Sequence, residues 1–196
     1  KSNNSATGPD DIHYLLISHL PESALDVLLK AFNNIWMSGS FPPSWREAII
    51  IPIPKPGKDH SDPNNYRPIA LTSCLCKTME RMIYVRLMWQ LEKIQALDIT
   101  QCGFRNGRCT TDHLVRFESF VRDALVNGEH VVSVLFDLEK AYDTTWKHGI
   151  LKDLETLGFR GNLPVFIDNF LSDRKFQVRL GSTLSDPFEQ EMGVPQ

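Results

Sequence analysis

An aspartate at the end of a strongly apolar run is the best candidate for chemistry in this sequence. Asp137 follows VVSVLF within the segment FDLEKAYD. The run predicts a strand over residues 130–138 that is buried on both faces. An ionised carboxylate at the end of such a strand is costly to bury unless a cation or strong donors compensate its charge. Mg²⁺ fits this need because it binds carboxylate, main-chain carbonyl and phosphate oxygens together.

A purely structural role for Asp137 is the alternative. Aspartate commonly caps the turn that follows a strand, and an apolar strand ending in aspartate is not specific for metal binding. The local pattern therefore leaves both roles open.

Basic side chains on a predicted β-loop-β unit could bind phosphate. The run WREAIIIPIPKPGK is typical of a strand that ends at its prolines, KDHSDPNN of an exposed loop, and YRPIAL of a returning strand. The loop carries Lys55 and Lys58, and the returning strand carries Arg67. A guanidinium can bind phosphate through two N–H groups, whereas an ammonium acts as a point charge. Solvated charges without a ligand are the alternative.

The net charge of −3 hides an uneven distribution along the chain. Residues 41–110 contain ten Lys and Arg against six Asp and Glu, whereas residues 131–196 contain seven against ten. A basic segment followed by an acidic one suits a protein that binds a polyanion beside a cation site.

Helical periodicity and capping residues predict the elements that position these groups. Two amphipathic helices start the chain as a hairpin, and the second begins at Pro21 and ends at Ser38 and Gly39. A third helix follows the β-loop-β unit and is capped by Thr72 or Ser73.

Three further helices and a hairpin are predicted in the second half of the chain. The first is capped by Thr110 or Thr111 and ends before Gly128; it is expected to bury Leu114, Phe117, Val121 and Leu125. After FDLEKAYD come a helix that ends at Gly158, a short helix over residues 163–171, and a hairpin made of FQVRL, GSTLSD and PFEQEM.

Cysteine spacing and hydropathy argue against several other classes. Cys74, Cys76, Cys102 and Cys109 do not form a disulfide framework, and their spacing disfavours a zinc site, so we expect reduced, partly buried thiols. No stretch of about 20 apolar residues predicts a membrane span. The sequence lacks an initiator methionine and stops abruptly after MGVPQ, which indicates a piece of a longer protein.

Five segments in order resemble the reverse transcriptases of non-LTR, LINE-type retrotransposons. They are IPIPKPGK, NYRPIALTS, QCGFRNGRCTTDHL, FDLEKAYD and GVPQ. The resemblance implies an α/β (α+β) right-hand polymerase fold with fingers and an incomplete palm, and without a thumb. It divides the chain into an N-terminal helical extension (1–40), fingers and connecting helices (41–130), and the first part of the palm (131–196).

The resemblance also implies the reaction and its participants. It is RNA-directed DNA synthesis, in which a primer 3′-hydroxyl attacks the α-phosphate of a deoxynucleoside triphosphate with the help of two Mg²⁺ ions. The partners are an RNA template, a DNA primer and deoxynucleotides, with no membrane. The expected location is an intracellular ribonucleoprotein, nuclear or cytoplasmic or both.

Residue roles follow from the same motifs. Asp137 matches the first metal-binding catalytic aspartate, and Leu138 the position whose main-chain carbonyl also holds metal. Tyr142 matches the ring under the sugar, which selects deoxyribose by blocking a 2′-hydroxyl. Lys55 and Arg67 match the residues that contact the triphosphate. Gln196 matches a glutamine that lies against the nucleotide.

The remaining assignments concern the loops and the ends of the motifs. Lys58 is expected to assist Lys55. Phe104, Arg105 and Arg108 are expected near the template, where arginine and aromatic side chains bind single-stranded nucleic acid; the alternative is a buried Phe104 with surface arginines. Asp143 is interpreted as a helix cap and Glu139 as a solvated side chain.

The second catalytic motif of this family, an aromatic residue and alanine before two aspartates, does not occur in these 196 residues. We therefore expect the stretch alone to be inactive. Two alternatives stay open: a non-catalytic nucleic-acid-binding relic of such an enzyme, and a maturase of the group II intron kind. The coding sequence beyond residue 196 would distinguish the relic, and flanking domains would distinguish the maturase.

Overall fold

Helices and one sheet together give this chain the mixed α/β architecture that its sequence predicts. The computed structural model describes residues 6–195, so Gln196 lies outside the described residues. The chain forms two compact units: residues up to 81 with those from 140 onward, and residues 82–139.

A sheet with five strands within the described residues forms the centre of the first unit. Its strands are β1 (Glu47–Pro54), β2 (Tyr66–Leu71), β3 (Lys175–Leu180), β4 (Thr183–Leu184) and β5 (Phe188–Glu189). The order is β2-β1-β3-β4, and β5 also pairs with β3. The antiparallel β1–β2 pair confirms the β-loop-β prediction, and the antiparallel pairing of β3 with β4 and β5 confirms the hairpin.

β1 and β2 tolerate their prolines because the β1–β3 pairing ends before Pro52 and because β2 is an edge strand. β1 also pairs in parallel with β3, but only from Glu47 to Ile50. Pro52 and Pro54 follow that stretch, so their missing N–H groups interrupt no bond to β3. Pro68 lies in β2, an edge strand, where proline is acceptable.

Aromatic packing joins the N-terminal helices to a later helix of the same unit. α1 (Tyr14–Ser18) and α2 (Glu22–Ser38) form the predicted helix pair, and α7 spans Asn162–Leu171. The ring of Trp36 in α2 lies 6.0 Å from that of Phe166 in α7, and the ring of Phe41 lies 5.7 Å from that of Phe166 in edge-to-face geometry. Such pairs add about 0.5–1.5 kcal/mol each beyond the area they bury.

Capping residues define the two central helices. α3 spans Cys74–Lys93, and the Ser73 hydroxyl accepts a hydrogen bond from the Cys76 N–H at 3.4 Å, which confirms the Ser73 alternative. α4 spans Thr110–Val126, but its N-cap is Cys109 rather than Thr110 or Thr111. The Asp112 carboxylate accepts the Cys109 N–H at 2.7 Å and thereby fixes the earlier start.

The prediction that α4 buries one apolar face is wrong. Leu114, Phe117 and Leu125 are 61%, 51% and 64% exposed. Periodicity identifies a face that is suited to burial, but burial also requires a partner surface, and the described residues of this unit do not supply one.

In the first unit, one helix begins within the FDLEKAYD segment and two more follow it. α5 spans Ala141–Thr144, and α6 spans Lys147–Thr156, ending before Gly158 as predicted. The prediction of a short helix near 163–171 is confirmed by α7. Asp143 is not a helix cap: it lies inside α5, because the left-handed residue Lys140 (φ 52°) starts that helix earlier.

The predicted buried strand over residues 130–138 is also wrong. These residues have no regular secondary structure, and Val132, Leu135 and Phe136 are 87%, 90% and 92% exposed. A strand forms only when its N–H and C=O groups pair with a neighbour, and no described strand pairs with this segment. An apolar composition does not show whether a neighbouring strand is available.

A buried arginine of the first unit packs against α7. Arg174 is 2% exposed, donates to the Phe170 carbonyl at 2.8 Å and places its guanidinium carbon 4.8 Å from the Phe170 ring centre. Its Nη2 has no hydrogen-bond acceptor among the described residues. Burial lowers the pKa of Arg174, while Cys76 and Glu80 act in the opposite direction.

The cysteines are free thiols, as expected, and Cys74, Cys76 and Cys102 are buried. Burial, followed by the nearby Glu80 carboxylate, raises the pKa of Cys76 far above its ordinary value. In the described part of the chain, no helix combines the length and the apolar character that a membrane crossing requires.

We predict that Arg174→Ala lowers the free energy of unfolding by about 3 kcal/mol, because it removes a buried hydrogen bond and a cation–π contact and leaves a cavity. Arg179→Ala is the matched control: Arg179 lies on β3, which begins directly after Arg174, and is exposed, so its loss should cost under about 0.5 kcal/mol. Denaturant unfolding followed by circular dichroism measures both, and equal effects would contradict a structural role for Arg174.

Candidate functional site

Asp137 and Leu138 lie in the irregular segment of the second unit. Asp137 is exposed, so the desolvation argument for a compensating cation does not apply in this arrangement. The carboxylate of Asp137 and the carbonyl of Leu138 are still the oxygen donors that Mg²⁺ prefers, and Mg²⁺ is often held by one or two carboxylates with substrate phosphates completing the shell. Among residues 6–195, no group of three or more His, Cys, Asp or Glu could hold a metal ion.

Tyr142 is placed against the GVP segment near the end of the chain. The Val194 N–H donates to the Tyr142 carbonyl at 2.8 Å, and the Gly193 N–H donates to the Thr145 carbonyl at 3.0 Å. A Cβ on Gly193 would lie 2.6 Å from the Tyr142 carbonyl oxygen, and Gly193 has φ +79°. Only glycine therefore permits this approach. Two of the motifs, more than 40 positions apart, meet here, and the Tyr142 side chain stays 40% exposed.

A cavity of about 230 Å³ lies beside this contact within the first unit. One wall is the sheet face that carries Ile50, Ala70 and Val178, and the other includes Asp143 and Val194. Asp143 thus lines a mainly apolar space, a position that its interpretation as a helix cap did not predict.

In the loop between β1 and β2, hydrogen bonds to Asn64 and Asn65 position Lys55. The Lys55 N–H donates to the Asn65 carbonyl at 2.8 Å, which extends the β1–β2 pairing by one step. The Lys55 ammonium donates to the main-chain carbonyl of Asn64 at 2.9 Å. Asn64 is held in turn by the Asp62 carboxylate, which accepts its backbone N–H at 2.9 Å and its side-chain amide at 3.0 Å.

Arg67 is exposed and lies opposite Ile53 in the β1–β2 register. Because successive side chains alternate between faces, Arg67 and Lys55 share one face of this ribbon. Pro68 and Ala70, which line the cavity, lie on the other face. No hydrogen bond or ion pair to the Arg67 or Lys58 side chain occurs within the described residues.

Lys140 is a basic residue of this site that the motif analysis did not select. Its ammonium donates to the Asn64 side-chain oxygen at 3.1 Å, 76 positions away. The backbone of Lys140 is left-handed, with φ 52° and ψ 40°. The only sequence signal was the position of Lys140 inside FDLEKAYD, and nothing in that motif indicates Asn64 as its partner.

The three residues expected near a template lie in the second unit and differ in their exposure and in their bonds to other residues. Phe104 is 81% exposed, with φ +60° and its carbonyl accepting the Tyr84 hydroxyl at 2.9 Å, so the buried alternative is wrong for Phe104. Arg105 has a side chain that is only 8% exposed and binds Glu92 through two N–H groups, at 2.8 and 2.6 Å. That hydrogen bonding lowers the pKa of Glu92. Arg108 forms no such pair among the described residues.

Comparison with known proteins identifies the family. The family model described as "Reverse transcriptase (RNA-dependent DNA polymerase)" matches residues 53–196. The chain is 35% identical over 191 residues to the RNA-directed DNA polymerase from mobile element jockey of Drosophila melanogaster, which covers 97% of this chain and 21% of that protein.

Two further relatives extend the comparison. One is the probable RNA-directed DNA polymerase from transposon X-element of Drosophila melanogaster, 35% identical over 199 residues, or 100% of this chain and 22% of that protein. The other is the retrovirus-related Pol polyprotein from type-1 retrotransposable element R2 of Popillia japonica, 27% identical over 145 residues, or 74% of this chain and 20% of that protein. The chain thus spans about a fifth of the length of these relatives.

The resemblance carried by the five motifs is therefore confirmed, and the chain belongs to the reverse transcriptase family, of the kind found in non-LTR retrotransposons.

Proposed function

We propose that the protein containing this chain is an RNA-directed DNA polymerase, which copies an RNA template into DNA from deoxynucleoside triphosphates. The observation that carries the proposal is that three motif segments converge inside the first unit. Residues 193–194 are hydrogen-bonded to the segment 142–145, and the loop with Lys55 is joined through Asn64 to Lys140. The printed names of the Drosophila relatives describe the same activity for those proteins.

Lys55 and Arg67 are proposed to bind the triphosphate of the incoming nucleotide. Both side chains leave the same face of the β1–β2 ribbon, and Arg67 is exposed without a partner among the described residues. The planar guanidinium of Arg67 can bind two phosphate oxygens at once. The Lys55 ammonium uses one of its three donors on Asn64, so two remain for phosphate. Lys58 is proposed to assist from the same loop.

Tyr142 is proposed to select the sugar. Its backbone is part of α5 and its carbonyl accepts a hydrogen bond from the Val194 N–H, and its ring remains partly exposed. A ring fixed under the sugar would collide with a 2′-hydroxyl and so favour deoxyribose. Gln196, which follows the docked GVP segment, is proposed to lie against the same nucleotide.

Asp137 and the Leu138 carbonyl are proposed to hold Mg²⁺. Mg²⁺ held there would neutralise charge on the phosphate oxygens during the transfer, in which the primer 3′-oxygen bonds to the α-phosphorus and pyrophosphate leaves. The exposed position of Asp137 leaves its carboxylate accessible to a metal–nucleotide complex. Two ions are expected in the whole enzyme, and the 196 residues alone are expected to be inactive because the motifs assign them a single metal-binding carboxylate.

The architecture and partners complete the proposal. Residues 1–40 form a helical extension, residues 41–130 fingers with connecting helices, and residues 131–196 the first part of a palm. An RNA template passes near the exposed ring of Phe104 and Arg108, whereas Arg105 is occupied by Glu92. A DNA primer supplies the 3′-hydroxyl, and the complex is an intracellular ribonucleoprotein, nuclear or cytoplasmic or both.

We predict that Asp137→Asn in the full-length parent lowers primer extension on an RNA template at least about 100-fold, because a neutral amide is a poor ligand for Mg²⁺. Glu139→Gln, two positions away, is the matched control and should retain synthesis within about threefold, since a solvated side chain contributes little. Unchanged synthesis by Asp137→Asn would refute the metal assignment.

We predict that Tyr142→Ala relaxes sugar discrimination. The ratio of kcat/KM for a deoxynucleotide to that for the matching ribonucleotide should fall about tenfold or more, because removing the ring opens space for a 2′-hydroxyl. Tyr142→Phe keeps the ring and should keep the ratio. Single-nucleotide incorporation with both substrates measures it, and an unaltered ratio in Tyr142→Ala would count against the steric role.

A further inference from the structure

Two lysine ammonium groups converge on a single asparagine in the first unit. Lys55 donates to the main-chain oxygen of Asn64 at 2.9 Å, and Lys140 donates to its side-chain oxygen at 3.1 Å. The two lysines come from different motifs. Two like charges brought to one neutral residue repel each other, and hydrogen bonds to that residue partly offset the repulsion.

Asn64 is held in place by its own loop. The Asp62 carboxylate accepts both the backbone N–H and the side-chain amide of Asn64, which fixes the orientation of the oxygen that receives Lys140. On the other side, the left-handed backbone of Lys140 sets the direction in which its side chain leaves the start of α5. Both ends of the Lys140–Asn64 bond are therefore positioned by local geometry.

No carboxylate in the described part of the chain pairs with either ammonium. Among residues 6–195, neither Lys55 nor Lys140 forms an ion pair, whereas Arg46 and Arg105 do. Each ammonium has three donors and gives one to Asn64, so each keeps two. Asn64 and Lys140 are exposed, and Lys55 is half-buried. This arrangement suits a compact, multiply charged anion with several acceptor oxygens.

We propose that Lys140 is a second polyphosphate-binding cation beside Lys55, and that Asn64 is the positioning residue that holds the two ammonium groups ready. The ligand is the polyphosphate of a nucleoside triphosphate. The inference rests on the proposed function, since it extends the site that Lys55 and Arg67 form. A polyphosphate fits better than a nucleic-acid backbone, because a single polyphosphate can bind both ammonium groups that converge on Asn64.

The test is steady-state nucleotide incorporation by the full-length parent on an RNA template and DNA primer. Lys140→Gln keeps a donor for Asn64 but removes the charge. It should raise KM for the deoxynucleotide about tenfold, the loss of one charge-assisted hydrogen bond, with kcat changed less than about threefold. Inhibition by inorganic tripolyphosphate should weaken in parallel, because that probe has neither base nor sugar.

Two companion variants separate charge from structure. Lys140→Arg keeps the charge and should restore KM to within about threefold of wild type. Lys152→Gln changes an exposed lysine on α6 of the same unit and should leave KM unaltered. The dissociation constant for primer–template, measured separately at several salt concentrations, should be unchanged in all of these variants. A variant that had lost a contact to a nucleic-acid backbone would instead show a reduced salt dependence.

The outcomes distinguish this inference from the function on which it rests. If Lys55→Gln raises KM while Lys140→Gln stays within about twofold of wild type, the role of Lys140 is refuted and the polymerase proposal stands. The same holds if Lys140→Gln weakens primer–template binding and leaves nucleotide binding intact. If the wild-type parent incorporates no nucleotide on an RNA template, both proposals fall.

Discussion

The parallel pairing of β1 with β3 is the constraint on which the rest of the first unit depends. It joins Glu47–Ile50 to Lys175–Val178, and it is closed at one end by two further bonds. The Lys175 N–H donates to the Arg46 carbonyl at 3.0 Å, and the Arg46 guanidinium donates to the Asp173 carboxylate at 2.6 Å, across 127 positions of the chain. Closing so long a loop costs conformational entropy. Several interactions at one point are therefore needed to hold this register.

That register determines where the motif residues meet. It sets the face of Ile50 and Val178 against the segment that carries Asp143 and Val194, which makes the cavity. It also places the loop after β1 beside Lys140. A register shift of one residue would turn the cavity-lining side chains to the other face. It would also separate Lys55 from its place in the site. The buried Arg174 directly precedes β3 and supports the same junction from the core.

Local signals in the sequence predicted local structure well and distant partners poorly. The β1–β2 ribbon and the β3 hairpin follow from prolines, glycines and alternating residues over short distances, and α2 ends at Gly39 as its sequence indicates. The parallel β1–β3 pairing left no such signal, because it depends on side chains that are far apart in sequence. The strand expected before Asp137 failed for the same reason: an apolar run reports suitability for burial, not the presence of a neighbouring strand.

The prediction of the candidate site succeeded and failed for the same reason. Motif chemistry selected Lys55, Arg67 and Tyr142, but it could not tell a cation that is open to a ligand from one that the fold already uses. Arg105 and Arg174 direct their N–H groups to carboxylates and carbonyls of the protein itself, so they stabilise structure. Within residues 6–195, the ammonium groups of Lys55 and Lys140 hydrogen-bond only to a neutral asparagine. A chain with a net charge of −3 can thus still present a local positive site, because the number of unused donors at one point governs anion binding there more than the total charge does.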